Sequence, residues 1–202
     1  MSSADETVEH AEYEHLVRLE EDERLALLAR LHRRVRRTDD EVSFVAGDGW
    51  VAAPVEGAIH FDDHDVARIL AVLSSGDNRE ALMEAEGKDA YRVPATPAAL
   101  EEVNVVYGLF DITLCPPDLS WVIFASQHDF FVVMGPVKTV EALVGIGLTQ
   151  ALERYPESME YWIPKFRVIR ATTEAHWASF PTLQPGETIT IPLKSGPEEP
   201  GG

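Results

Sequence analysis

Two histidines and three carboxylates stand within six positions at His60-Phe61-Asp62-Asp63-His64-Asp65. Imidazole nitrogen and carboxylate oxygen are ordinary ligands for divalent metals, so His60, Asp62 and His64 form a candidate metal set. The same run also suits a strand-to-helix junction. There Asp62 caps a helix and Asp65, three residues on, completes a capping arrangement. His60 and His64 share a face only if the helix begins early. No HExxH pattern or other metal framework accompanies them, and no cofactor is expected.

Two further groups could do chemistry. His128-Asp129 offers a general base beside an orienting acid, at a hairpin tip where a turn also wants polar residues. Cys115 is the single cysteine and is followed by Pro116-Pro117. Paired with His128 or His176 it would be a nucleophile. A lone cysteine after an apolar run is more ordinarily a small buried residue, and no family signature surrounds it. Gly135-Pro136-Val137-Lys138-Thr139 joins a strand to a helix but lacks the glycine spacing of a phosphate loop.

The recognition candidates lie elsewhere. Arg30, Arg33, Arg34, Arg36 and Arg37 crowd one short stretch and make the only basic cluster in the chain. Arg33, Arg34, Arg36 and Arg37, with Trp162 and Trp177, are the candidate partner-binding residues. The tryptophans qualify because they sit in a weakly patterned C-terminal third, where a sheet is least able to cover them. The arginines have no interleaved aromatics for base stacking.

Charge sets the partner class. The chain has 202 residues, with 35 Asp and Glu against 17 Lys and Arg, a formal net charge of −18. Such a field repels nucleic acid and anionic membrane surfaces and attracts basic proteins. No apolar run has the length to cross a bilayer, and the acidic start MSSADETVEH has no signal-peptide core. One cysteine gives no intrachain disulfide and no pointer to an oxidising compartment. The expectation is a cytoplasmic, non-enzymatic binding or regulatory protein that turns an acidic surface to a protein partner, in the manner of an immunity or inhibitor protein. The alternative is a small hydrolase or metal-dependent enzyme using the run from His60 to Asp65, or Cys115 with a histidine. The oligomeric state is open, with 9–37 as a candidate oligomerisation helix.

These residues need a frame. Residues 1–8 are polar and acidic and read as disordered. Residues 9–37 lack Gly and Pro, are rich in Leu, Ala, Glu and Arg, and read as a helical arm, with a break near Glu20-Glu21-Asp22-Glu23. Around Gly47-Asp48-Gly49 the alternation of 41–53 suggests a β-hairpin ended by Pro54. A helix is expected over 64–75 and stopped by Gly76. Another reads from Asn78 to Glu86, and a short one follows the Thr96-Pro97 start. Val103 to Leu114 reads as a strand interrupted at Gly108. Trp121-Val122-Ile123-Phe124-Ala125 and Phe130-Phe131-Val132-Val133-Met134 form a hairpin apolar on both faces, as strands at the centre of a sheet must be. Helices follow from Val137 to Val144 and from Leu148 to Tyr155. Beyond Pro156, an edge strand is expected near 161–169, a short helix near 173–180 and a last strand near 188–193. The sum is an α+β fold. It has a mostly antiparallel sheet with helices on one face and an N-terminal helical arm. A single domain covers 9–193, with its sheet core in 41–193, and 194–202 form a flexible tail.

Overall fold

The computed structural model describes residues 13–38, 41–47, 49–56, 60–86, 89–108, 110–126, 130–158 and 180–192. The fold is α+β. Its centre is a seven-stranded antiparallel sheet in the order β1-β6-β5-β7-β8-β9-β4. The strands are β1 (Val17–Arg18), β4 (Trp50–Glu56), β5 (Glu80–Ala85), β6 (Asp89–Pro94), β7 (Ile112–Cys115), β8 (Val122–Ser126) and β9 (Phe130–Pro136). A smaller antiparallel sheet has the order β10-β3-β2, from β2 (Val35–Arg37), β3 (Glu41–Val45) and β10 (Thr188–Pro192).

The large sheet is covered on both faces, which is why its inner strands are apolar at nearly every position. Val51, Ala53, Met83, Val93, Leu114, Ile123 and Val133 face one core. Helices α2 (Asp63–Ser75), α3 (Pro97–Tyr107) and α4 (Val137–Val144) close it through Ile69, Leu73, Leu100, Val103, Val140 and Leu143. Leu82, Cys115, Val122, Phe124, Val132 and Met134 face the second core. The small sheet and α1 (Glu21–Leu31) close that side through Leu27, Leu31, Val42, Phe44, Ile189 and Ile191. Phe44 meets Phe124 edge-to-face across this layer, with centroids 5.5 Å apart, and Phe61 meets Phe131 at 5.7 Å on the other side. Each such pair adds about 0.5–1.5 kcal/mol beyond the area it buries.

The edges of the large sheet are short or covered, as an exposed edge would invite pairing with other chains. At one end β1 has two residues. At the other, β4 runs straight through Pro54, which an edge strand tolerates because it need not donate outward. Helix α5 (Leu148–Ser158) lies against β4, with Ala151 in the first core and Leu152 against the second.

Several expectations are corrected. Residues 13–38 are strand, helix, strand rather than a helical arm: the helix after the break near Glu20–Glu23 is present as α1, and strands stand on either side of it. Leu16 and Leu19 flank β1 and are drawn into the two cores, and Val35 pairs with Phe44 instead of extending α1. The stretch 41–53 is not a hairpin. Gly47, at φ 137, lets the chain leave the small sheet, so β3 and β4 belong to different sheets and face one another through the second core. Residues 80–85 form a strand, not a helix, and 103–107 continue α3. By contrast, the β8–β9 hairpin, α2, α4 and the last strand stand where the pattern puts them.

Candidate functional site

Helix α1 opens with Glu21, Asp22 and Glu23 and ends with Arg30, an order that complements its dipole. Its end tightens into a turn: Arg33 N donates to Arg30 O at 3.2 Å and Arg34 N to Leu31 O at 2.7 Å. That turn, together with the i, i+3, i+4 spacing, brings Arg30, Arg33 and Arg34 to one cleft of about 430 Å³. The floor is Val45, Ala46 and Gly47, at the end of β3. Pro185 and Gly186 form one wall, and Asp118 and Leu119, from the β7–β8 connection, form the other. Val45 N donates to Arg34 O, Ala46 N to Glu187 O and Gly186 N to Ala46 O, so the backbone ties the floor to two walls.

The three guanidiniums are held differently. Arg30 donates to the backbone oxygen of Pro117. Arg34 stands over Trp50, its guanidinium carbon 3.9 Å from the ring centroid, a cation–π contact. Arg33 is exposed and makes no side-chain hydrogen bond or ion pair among the described residues. Asp118, the one carboxylate among the described residues of the lining, accepts from Ser120 N at 3.0 Å.

The remaining recognition candidates separate from this cleft. Arg36 Nε donates to His32 O at 3.2 Å. Arg37 turns inward from the end of β2. Its Nη2 stands 3.0 Å from Asp111 Oδ2 and 3.5 Å from Glu86 Oε1. Asp111 is 1% exposed and accepts from the buried Ser126 hydroxyl at 3.0 Å. Glu86 adopts a left-handed φ of 50 to bring its backbone N to Asp111 O. Arg37 therefore joins the small sheet to the large one through a buried carboxylate. Trp162 and Trp177, like His128, Asp129 and His176, lie outside the described residues, as do the strand expected near 161–169 and most of the helix expected near 173–180.

The candidate metal ligands are placed as a helix start. Asp62 Oδ1 accepts from Asp65 N at 2.8 Å, and Asp65 Oδ2 accepts from Asp62 N at 3.1 Å, a reciprocal capping box. The Asp65 N–H holds the Asp62 carboxyl below its usual range, while burial raises that of Asp65. Asn104 of α3 fixes the preceding turn by accepting from Phe61 N at 2.8 Å and donating to Phe61 O at 3.0 Å. His60 sits beside Gly108 at the end of α3, and His64 is exposed on the first turn of α2. Among the described residues, no three His, Cys, Asp or Glu side chains are grouped to hold a metal ion.

Cys115 is fully buried in the second core, and desolvation pushes its thiol up to about 12. At neutral pH it is protonated and out of reach, the state of a packing residue rather than a nucleophile. The described residues include no helix long and apolar enough to cross a membrane.

No protein-family model matches the chain, and no curated protein or solved structure matches it.

Of the five clustered arginines, Arg30, Arg33 and Arg34 border the cleft, while Arg37 faces inward and Arg36 is bonded back to His32. The readable signal was the helical spacing of 30, 33 and 34. Asp111, Thr113 and Ser126, buried polar groups of the second layer, were missed. A lone Asp inside the apolar run from Val103 to Leu114 was their one visible mark.

Proposed function

We propose that the protein is a non-enzymatic, cytoplasmic binding and regulatory protein whose acidic surface meets a basic protein partner. The observation that carries this reading is how the charges are used. Arg18, Arg24, Arg37, Arg68 and Arg92 are each matched to a carboxylate of the same chain. Glu20, Asp22, Asp63, Glu101 and Glu153 are exposed and make no ion pair among the described residues. The internal pairs consume positive charge, and the outward field is negative on several elements at once. A net charge of −18 spread in this way raises the encounter rate with a cationic surface and opposes nucleic acid. Inhibition of a basic enzyme, in the manner of an immunity protein against a toxin nuclease, is the form of regulation that suits it.

The test is affinity capture by the full chain at low ionic strength, followed by purification of what is bound and measurement of its association rate. A basic partner whose association slows steeply with added salt is expected. Recovery of nothing at low ionic strength, or of an acidic partner indifferent to salt, would overturn the reading.

A further inference from the structure

Residues 13–19 cross the edge of the large sheet beside β6 and are held there by contacts of two kinds. The first is apolar. Leu16 reaches the first core and Leu19 the second, so the segment touches both layers. The Tyr13 ring meets Tyr91 of β6 edge-to-face, with centroids 5.5 Å apart. The second kind is polar and converges on one side chain. Glu102 of α3 takes Glu14 N on one carboxylate oxygen at 2.6 Å, and His15 N and Leu16 N on the other at 2.7 and 3.0 Å. Strand pairing is brief by comparison. β1 matches β6 at Val17 with Arg92 and at Arg18 with Tyr91, and Leu19 N then donates to Ala90 O at 2.8 Å. Pairing this short is marginal without further support. Hydrogen bonds to a charged group are the stronger ones, and here three successive backbone donors share one such acceptor.

We infer that residues 13–19 form a strap over the outer edge of β6, latched by Glu102, and that the strap opens as one unit while the rest of the sheet stays folded. Glu14, His15 and Leu16 cannot leave Glu102 one by one, because consecutive planar peptide units turn together about shared dihedrals. Once they leave, Leu16 loses its register in the first core, and the two paired positions of β1 and the Leu19 bond follow. Opening makes β6 the edge strand and frees its outer backbone groups, the kind of edge that pairs with other extended chains. The strap thus decides whether that edge is available, and a single side chain on a different element sets how often it opens.

The experiment is amide hydrogen exchange of the ¹⁵N-labelled full chain, read residue by residue where exchange follows the open population. In the parent, Glu14, His15, Leu16 and Leu19 should share one level of protection, below that of the ladder amides of β7 and β8 at the centre of the sheet. Glu102→Gln keeps the size of the side chain but offers one oxygen in place of two and no charge. It should speed exchange at all four amides by the same factor, about tenfold, the scale of one charged hydrogen bond lost, and leave β7 and β8 at parental rates. Leu19 is the deciding position. Its N–H donates to Ala90 O and not to Glu102, so a side chain that served its own three donors and nothing more would not move it. Glu101→Gln removes the same charge one position earlier on α3, from an exposed side chain with no ion pair among the described residues, and should leave all four amides unchanged. The inference is overturned by unrelated protection of the four amides in the parent, or by protection equal to that of β7 and β8. It is overturned equally if Glu102→Gln leaves exchange unchanged, speeds Glu14, His15 and Leu16 alone, or speeds β7 and β8 as much, or if Glu101→Gln has the same effect. The outcome is separate from that of the partner capture, because no partner enters the measurement.

Discussion

Replacing Arg37 with alanine separates a structural arginine from a recognition arginine. The side chain is 25% exposed and its charge lies 3.0 Å from a carboxylate that is 1% exposed. Removing the cation takes away the guanidinium that faces the buried Asp111 carboxylate in the layer between the two sheets, where the Ser126 hydroxyl also donates to it. Breaking a buried pair from one side costs about 3–5 kcal/mol, and the partial exposure of Arg37 places this case at the lower end, about 3 kcal/mol. With an m-value of about 2 kcal/mol per molar urea, the unfolding midpoint should fall by about 1.5 M with the slope unchanged. The assay is urea unfolding followed by tryptophan fluorescence and by far-ultraviolet circular dichroism, which must coincide. The double variant Arg37→Leu with Asp111→Asn removes both charges and keeps an oxygen for Ser126. It should recover most of the loss, since the penalty is the orphaned charge and not the missing attraction. A single variant within about 0.5 kcal/mol of the parent, or a double variant no better than the single, would refute the reasoning; effects that small are ordinary for surface substitutions.

Other perturbations follow from the same geometry. Asp62→Ala removes one half of the capping box and should lower stability by about 1 kcal/mol, read as an unfolding midpoint, while a metal chelator leaves that midpoint unmoved. Burial pushes the Cys115 thiol and the Tyr91 phenol each up to about 12, from 9.0 and 10.0. These folded values are raised, so the stability they contribute is complete below the unfolded values and is lost as pH climbs from about 9 towards about 12. Melting at stepped alkaline pH checks this. Native Cys115 should also stay inert to a thiol-specific disulfide reagent at pH 8 until urea unfolds the chain. Glu102 accepts from the backbone N–H groups of Glu14, His15 and Leu16 at 2.6, 2.7 and 3.0 Å, pinning the segment before β1 to α3. Glu102→Ala should speed limited proteolysis within 13–19 by about tenfold, because the cleavage rate follows the open population when a charged hydrogen-bond cluster is lost. Unchanged proteolysis would mean that Leu16 and Leu19 alone anchor the segment.

How far the sequence could be read depended on whether a signal was local. Asp62 and Asp65 cap α2, Thr96 and Pro97 open α3, and Gly145, left-handed at φ 80, stops α4; each is written in a few adjacent residues. The segment Glu80–Ala85 misled because Ala, Leu, Met and Glu all favour helices, and because burial on both faces of a central strand hides its alternation. Val103 and Val106 are buried at helical spacing while Val105 is 56% exposed, yet the β-branched run looked like a strand. Within 13–37 the helix is confined to Glu21–Leu31 for a tertiary reason: β6 and β3 offer open edges that Val17 and Val35 complete. At the site, the arginine side of the cleft was legible from its spacing. Its other sides come from β3, the β7–β8 connection and the turn before β10, which only the two-sheet packing brings together.

Long-range attraction by the acidic surface is proposed to govern partner binding. The most direct measurement is the association rate of the captured partner as a function of ionic strength, for the parent and for a variant carrying Glu20→Gln, Asp22→Asn, Asp63→Asn and Glu101→Gln. These four carboxylates are exposed and make no ion pair among the described residues, so the fold should be kept. The parent rate should fall by an order of magnitude or more, on the scale of steered encounters, between low and physiological salt. In the variant, both the rate at low salt and the steepness should drop while dissociation changes little. Equal rates for the two proteins, or a parental rate flat in salt, would contradict the account.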